Sequence, residues 1–382
     1  MRKLLCALLF LASAIADAQG SFYSAAHLDL SGYSNGQVIR SEAMAGAPDA
    51  ATAYRILYRS EGLHGEPIAV SGVVLVPAQP STMTGRPIIA WAHPTTGVVP
   101  ACAPSLARVF FESIQGLDEM LQQGYVVAAT DYPGLGTAGP HPYLVGLSEG
   151  RAVLDSVRAA RSMTGAGPAF AVWGHSQGGH AALYTGILAA DYAPELKLVA
   201  VAAAAPATDL GALLADDRGT TGGTNVTAMT LWSWSQIYGA PLANVVTPQG
   251  MSAMGALADK CIERYFDVIT RRGPSKALAR SFLEVDNISE VEPWRGLLHT
   301  NTPGTLPATV PVFLAQGTDD TLVLPAVTRS YMQELCQAGS AVQWDPIEGV
   351  GHLFVARDSA GAAIAWIGAR FAGVPAPSDC RK

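Results

Sequence analysis

Short apolar runs, punctuated by turns and alternating with longer amphipathic stretches, fill most of this chain. Tyr54–Arg59 and Ala69–Val76, rich in aromatic and β-branched residues, predict an antiparallel pair of strands ending at Pro77. Residues 87–92 are continuously apolar, the pattern of a strand buried on both faces. A helix is predicted over Ser105–Gln123 and a second buried strand over Val126–Thr130, running into the turn Asp131-Tyr132-Pro133-Gly134-Leu135-Gly136. Then come a helix at Ser148–Thr164, a strand at Ala169–Trp173, a helix at Gln177–Ala190 and a strand at Val199–Ala205. Strand, helix and strand in succession predict an α/β fold with a mostly parallel sheet and helices on both faces.

The rhythm breaks after Pro206. From Ala207 to Pro307 no buried strand stands out, and the stretch carries Trp232, Trp234, Met251, Met254 and a helical pattern over Ser252–Ile269. The alternation resumes with a strand at Val312–Ala315, a helix at Ala326–Cys336, a strand at Ala341–Ile347 and a last helix at Asp358–Phe371. Sheet strands on both sides make the interruption an inserted cap rather than a separate domain. Residues 207–307 are read as the cap, and 19–206 with 308–382 as the core. Trp232 and Trp234 either line a pocket under the cap or form its own core.

Composition narrows the picture. The 382 residues are 49% hydrophobic and only 14% charged, against roughly 25% charged in average domains, which argues against disorder. With 24 basic and 31 acidic residues, and no basic run, the chain has nothing to track a phosphate backbone, so a nucleic-acid partner is excluded. Arg2 and Lys3 precede an apolar run of 13 residues, Leu4–Ala16, too short to span a bilayer. Ala16-Asp17-Ala18 is a small-x-small cleavage pattern, so residues 1–18 are read as a signal peptide cut before Gln19. The expectation is a secreted monomer with no transmembrane segment.

Removing Cys6 with that segment leaves Cys102, Cys261, Cys336 and Cys380. An even count in an exported chain suggests two disulfides, with three pairings open. None of these cysteines has C-x-x-C spacing, and neither H-x-x-x-H nor a cluster of acids occurs, so no metal is expected. The glycines form no dinucleotide or phosphate loop, so no cofactor is expected either. Asn225-Val226-Thr227 is a glycosylation sequon, meaningful only in a eukaryotic host.

The sharpest chemical signal is Gly174-His175-Ser176-Gln177-Gly178, a G-x-S-x-G nucleophile elbow between a predicted strand and a predicted helix. A serine on that turn projects its hydroxyl from the sheet edge, and glycines two residues to either side avoid collision with neighbouring backbone. A serine nucleophile needs a base and an orienting carboxylate, in the chain order Ser, Asp or Glu, His. Of eight histidines, His180, His299 and His352 follow Ser176. His180 lies one turn into the elbow helix and faces away from the hydroxyl. His299 lies in the cap, in a loop-like stretch before Pro303. His352 follows the last strand, at a carboxyl end of the sheet, and is the candidate base. After the strand Val312–Ala315, Gly317-Thr318-Asp319-Asp320 offers two acids; Asp320 has the usual spacing and Asp319 is the runner-up. An oxyanion hole needs two amides: Gln177 supplies one. The loop His93-Pro94-Thr95-Thr96-Gly97 supplies the other, from Thr95 or else Thr96, because Pro94 has no donor. His93 precedes the serine and reads as a loop brace. The turn at Asp131 reads as a pocket floor.

With the elbow, the Asp320 loop and His352 in place, the chain resembles the α/β-hydrolase superfamily, and within it the secretory lipase family of fungal lipase A enzymes and bacterial exported relatives. Gly174–Gly179, Cys102-Ala103-Pro104-Ser105, Asp131–Gly136, Gly317–Val323 and Gly349–His352 carry the resemblance, which spans about Tyr54 to Phe371. It implies an α/β-hydrolase fold with a helical cap, disulfides Cys102–Cys261 and Cys336–Cys380, and hydrolysis of carboxylic esters, with a lipid ester or lipid interface as the partner. The Thr95-Thr96 pair is a departure, since some relatives place an acidic side chain there. An acyltransferase or peptidase with the same triad, or an idle hydrolase fold used for binding, are the alternatives.

Overall fold

The computed structural model describes residues 22–80, 85–216, 220–263 and 268–380. The signal-peptide reading of residues 1–18 lies outside the described residues. Nine strands form a single sheet: β1 Val38–Ala43, β2 Ala51–Glu61, β3 Pro67–Pro77, β4 Ile88–Ala92, β5 Val126–Thr130, β6 Ala169–His175, β7 Lys197–Ala204, β8 Val312–Gly317 and β9 Val342–Ile347. Their order across the sheet is β1-β2-β3-β5-β4-β6-β7-β8-β9. The first three pair antiparallel and β3 pairs antiparallel with β5; every pair from β5 to β9 is parallel. This is the α/β-hydrolase arrangement. The central strands β4, β5 and β8 are buried at every residue, as their unbroken apolar runs require.

Helices α1 Phe110–Ser113, α2 Leu117–Gln122, α3 Gly146–Thr164 and α4 Gln177–Tyr192 belong to the first part of the core. Between β7 and β8 the chain leaves the sheet for an inserted set of helices, the segment expected to be the cap: α5 Leu210–Asp216, α6 Thr221–Ile237, α7 Pro248–Ala258, α8 Val268–Arg280 and α9 Trp294–Asn301. It then returns for α10 Pro325–Gln337 and α11 Val355–Phe371.

Three sequence readings need correction. The helix expected over Ser105–Gln123 is broken into a 3-10 turn at Pro104–Leu106 and the short α1 and α2. Gly116 separates α1 from α2 with a left-handed φ of 80°, and an added Cβ there would lie 3.1 Å from Ile364, so the break also seats α11 closely. The helix expected over Ser252–Ile269 ends at Ala258, ahead of Cys261, and a separate helix begins at Val268. His299 lies in α9 and not in a loop. Strand β1 was not foreseen: at this sheet edge Val-Ile-Arg-Ser-Glu-Ala is largely exposed and shows no clean alternation.

Cap and core are tied covalently. Cys102, after the His93–Gly97 loop, is bonded to Cys261 in the cap, with Cα atoms 5.0 Å apart across a separation of 159 residues. Cys336, at the end of α10, is bonded to Cys380 across 44 residues. Closing such loops in the unfolded chain removes up to about 5 and about 4 kcal/mol of conformational entropy respectively. Replacing both cysteines of a pair with alanine should therefore lower unfolding free energy by about 2–5 kcal/mol, more for Cys102–Cys261. Urea titrations of the two double variants check this; an unchanged midpoint in both would contradict it.

Candidate active site

The elbow is built by backbone geometry. Ser176 has φ 56° and ψ −116°, held between the end of β6 and the start of α4, and its amide donates to Ala204 O at 2.9 Å. Positive φ in a non-glycine residue costs on the order of 1–3 kcal/mol and persists only where the surroundings enforce it. They leave no room for alternatives: an added Cβ at Gly178 would sit 1.9 Å from Ala92 O, and one at Gly174 would sit 2.1 Å from Gly178 O. The first amides of α4 have no carbonyl to bond within the helix and point toward the site.

Three loops at carboxyl ends of parallel strands bring the candidate residues together. Ser176 Oγ lies 2.8 Å from His352 Nε2, and His352 Nδ1 lies 2.8 Å from Asp320 Oδ2. A carboxylate only accepts, so the proton sits on Nδ1 and the hydroxyl donates to Nε2. Asp320 and His352 are buried and Ser176 is half-buried. Asp320 Oδ1 accepts from the amides of Leu322 and Val323 at 2.9 Å each, while Gln316 Nε2 donates to Oδ2 at 3.1 Å. Burial alone would raise this carboxyl. The hydrogen bond and charge of His352, with the two amides, outweigh burial and hold it below the usual carboxylate range. Asp319 is exposed and bonds Thr318 Oγ1 at 3.4 Å, so it has no place in this arrangement.

The second loop of the site is braced from behind. Thr95 Oγ1 and Tyr143 Oη are 2.8 Å apart, and Ile262 N, next to Cys261, donates to Thr96 O at 2.7 Å. Both nitrogens of His93 meet backbone carbonyls, Pro94 O at 2.7 Å and Asp131 O at 3.2 Å. Asp131 is fully buried and accepts from the hydroxyls of Ser71 and Ser105 and from the Ser105 amide. The turn at Asp131 is thus a brace beneath the His93 loop, not the pocket floor. The cavity beside Ser176, about 230 Å³ counting its open mouth, is lined by Tyr143, Leu144, Gln177, Leu213, Val226 and Leu322 among others. Neither Trp232 nor Trp234 lines it: Trp234 is fully buried and donates from Nε1 to Tyr143 O at 2.8 Å, and Trp232 is half-buried against the main hydrophobic core. His180 bonds Glu149 and Asn301, away from the Ser176 hydroxyl.

Sequence reasoning missed several supporting residues. His175 Nε2 donates to His352 O at 3.0 Å and so fixes the loop that carries His352. Its place inside the elbow motif was a usable signal. Gln316, one residue before Gly317, was another. Tyr143 and Glu149 had no sequence signal, because only the fold brings them to the site. Among the described residues no cluster of His, Cys, Asp and Glu is arranged to hold a metal.

A family model described as Secretory lipase matches residues 112–379. Lipase A of Moesziomyces aphidis is 25% identical over 370 residues, covering 84% of this chain and 73% of that protein. A Mycobacterium tuberculosis protein named as a probable inactive lipase is 30% identical over 177 residues, 43% of this chain and 39% of its own length. The solved structure of Candida antarctica lipase A in its closed state aligns with a TM-score of 0.78 at 20% identity, covering 94% of this chain and 87% of that one. At that identity the structural likeness concerns the fold.

Two buried rings make stability pH-dependent. Burial pushes His175 down to about 3, aided by the neighbouring His352, and pushes His93 down to about 4 despite its two carbonyl partners. Both stay neutral in the folded chain where an unfolded histidine, near pKa 6.5, is protonated. The unfolded state then binds more protons from about pH 6.5 down to about 4. Stability should fall across that window as pH drops, by up to about 1.4 kcal/mol per pH unit for each ring. Urea midpoints between pH 7.5 and 4.5 check the slope, which His93→Gln should flatten. A slope that His93→Gln leaves unchanged would count against it.

Proposed function

The chain belongs to the secretory lipase family and is a carboxylic ester hydrolase, and from that premise we propose that it cleaves lipid esters through an acyl-serine intermediate. One observation carries the reading: a single imidazole, His352, bridges the Ser176 hydroxyl and the Asp320 carboxylate at 2.8 Å on each side, with the three residues on separate strand-end loops.

As Ser176 Oγ attacks the ester carbonyl carbon, His352 Nε2 takes its proton and the carbonyl electrons move onto oxygen. The amides of Gln177 and Thr95 receive that oxyanion. Asp320 holds Nδ1–H in place and balances the imidazolium. The intermediate collapses, the bond to the alkoxy oxygen breaks, and His352 gives that oxygen the proton, releasing the alcohol. Water then attacks the acyl-enzyme with His352 again as base; the acid leaves and Ser176 regains its proton.

Residues 1–18 act as the signal peptide in this reading, and two disulfides suit an oxidising compartment outside the cytoplasm. Leu353 and Phe354, directly after His352, are 57% and 43% exposed. Their placement beside the base suits an ester presented at an apolar surface. No helix among the described residues is long and apolar enough to cross a membrane.

Ser176→Ala should lower kcat for p-nitrophenyl butyrate by at least about a thousandfold, and Asp320→Asn by about a hundredfold or more. Parent-level turnover in Ser176→Ala would end the proposal. Added alcohol and an amide panel separate hydrolysis from acyl transfer and peptidase activity: free acid should dominate over transfer product, and amides should stay intact.

A further inference from the structure

Directly behind the elbow lies a buried polar cluster that the acyl-transfer steps do not use. Glu149 of α3, His180 of α4 and His141 are wholly buried, and Gln177 is 1% exposed. Glu149 Oε1 accepts from Gln177 Nε2 at 2.7 Å and from the Leu144 amide at 3.0 Å. Glu149 Oε2 lies 2.8 Å from His180 Nδ1, and His180 Nε2 lies 2.8 Å from Asn301 O at the end of the cap helix α9. Gln177 Nε2 also reaches His141 Nε2 at 2.7 Å, while His141 Nδ1 meets Pro133 O at 2.8 Å.

The protons in this cluster can be placed from the partners. His141 donates from Nδ1 to a carbonyl, so its Nε2 is free to accept one hydrogen of the Gln177 amide. The second hydrogen goes to Glu149. Gln177 Oε1 is left buried without a hydrogen-bond partner, the consequence of turning both amide hydrogens toward Glu149 and His141. Both His180 nitrogens face acceptors, the Glu149 carboxylate and the Asn301 carbonyl, and because a carboxylate only accepts, Nδ1 donates to Glu149 Oε2. Polar groups buried this deeply are costly unless hydrogen-bonded, and apolar residues of equal volume often serve stability as well or better.

We propose that Glu149 is a positioning residue for ester hydrolysis: it holds the Gln177 side chain and the Leu144 amide, and thereby fixes the backbone amide that receives the oxyanion and the pocket wall beside it. Leu144 supports this second hold, because it lines the Ser176 cavity with a left-handed φ of 52°, a conformation its own side chain disfavours. His180 has a separate task. A carboxylate behind the oxyanion amide repels the charge that develops there, and the hydrogen bond from His180 Nδ1 to Glu149 Oε2 draws its negative charge away from Gln177. Through Asn301 the same ring ties the elbow helix to the cap.

This inference rests on the Ser176 mechanism, so the test begins by mapping fluorophosphonate labelling of the parent to Ser176; absence of label would fault that mechanism rather than the role of Glu149. Kinetics with p-nitrophenyl butyrate are then expressed per labelled active site, with the inhibition constant of an alkyl trifluoromethyl ketone as an oxyanion-forming probe. Glu149→Leu should lower kcat about 30-fold or more with KM within about threefold, and weaken the ketone by a similar factor. Glu149→Gln keeps an acceptor for Leu144 and Gln177 and a hydrogen-bonding group toward His180, so it should stay within about fivefold of the parent. His180→Gln, which strands the carboxylate, should lower kcat about tenfold, and adding Glu149→Gln should restore most of it. The proposal is overturned if Glu149→Leu keeps the parent kcat and ketone affinity and loses only stability. If Glu149→Leu does not fold, the His180→Gln pair decides: parent kcat in His180→Gln, or no recovery in the double variant, overturns it.

Discussion

At Ser176 the backbone turns into the left-handed region between a buried strand and a buried helix, and the rest of the site is arranged around that turn. The strain is held because the sheet gives it no relief: β6 lies between β4 and β7, and Ala92 O and Pro206 crowd Gly178 and Gly179 so closely that a side chain at either would collide. Relaxing the turn would therefore require separating strands that are buried at the ends that meet it. A local cost on the order of 1–3 kcal/mol is stored against the packing of a whole sheet. What it secures is a hydroxyl that stands clear of the sheet edge and a helix whose first amides face the same point.

The same device recurs around the site. Besides Ser176, the described non-glycine residues with positive φ are Tyr132, Leu144 and Ala205. Tyr132 follows β5 and Ala205 follows β7, at the carboxyl ends where the loops of Ser176, Asp320 and His352 also leave the sheet, and Leu144 lines the cavity. Each is enclosed: Tyr132 stacks on His93 and His141, and Leu144 is pinned by Glu149. The cap then grips the segment between them. Ser233 Oγ donates to His141 O and accepts from Tyr143 N, Trp234 donates to Tyr143 O, and Tyr143 reaches Thr95 in the other site loop. Cys102–Cys261 fastens the same loop region to the cap covalently. Cap and site loops are therefore one mechanical unit.

Elements whose burial is one-dimensional were legible in the sequence. Strands β4 to β8 are continuous apolar runs because both faces are covered, and the elbow is visible because its glycines are imposed by contacts within a few residues. Asp320 could be chosen over Asp319 because its loop spacing reflects the two amides of Leu322 and Val323 that it must reach. What depended on distant parts of the chain was not legible. Glu149 reads as an ordinary exposed helix residue until α3 is packed against α4. The break of Ser105–Gln123 is dictated by the close seat of Gly116 on α11, more than two hundred residues away. Edge strand β1 is defined by its neighbour's hydrogen bonds, not by its own pattern, and Trp234 of the cap takes its place from its bond to Tyr143 O.

The central claim is that strain, base and acid converge on one reactive oxygen. Intact-mass and peptide-mass measurement after treatment with an alkyl fluorophosphonate tests this most directly. The account predicts one adduct per chain, on the peptide containing Ser176, formed at neutral pH and lost in His352→Ala. A protein that stays unlabelled, or that carries the adduct on another residue, would contradict it.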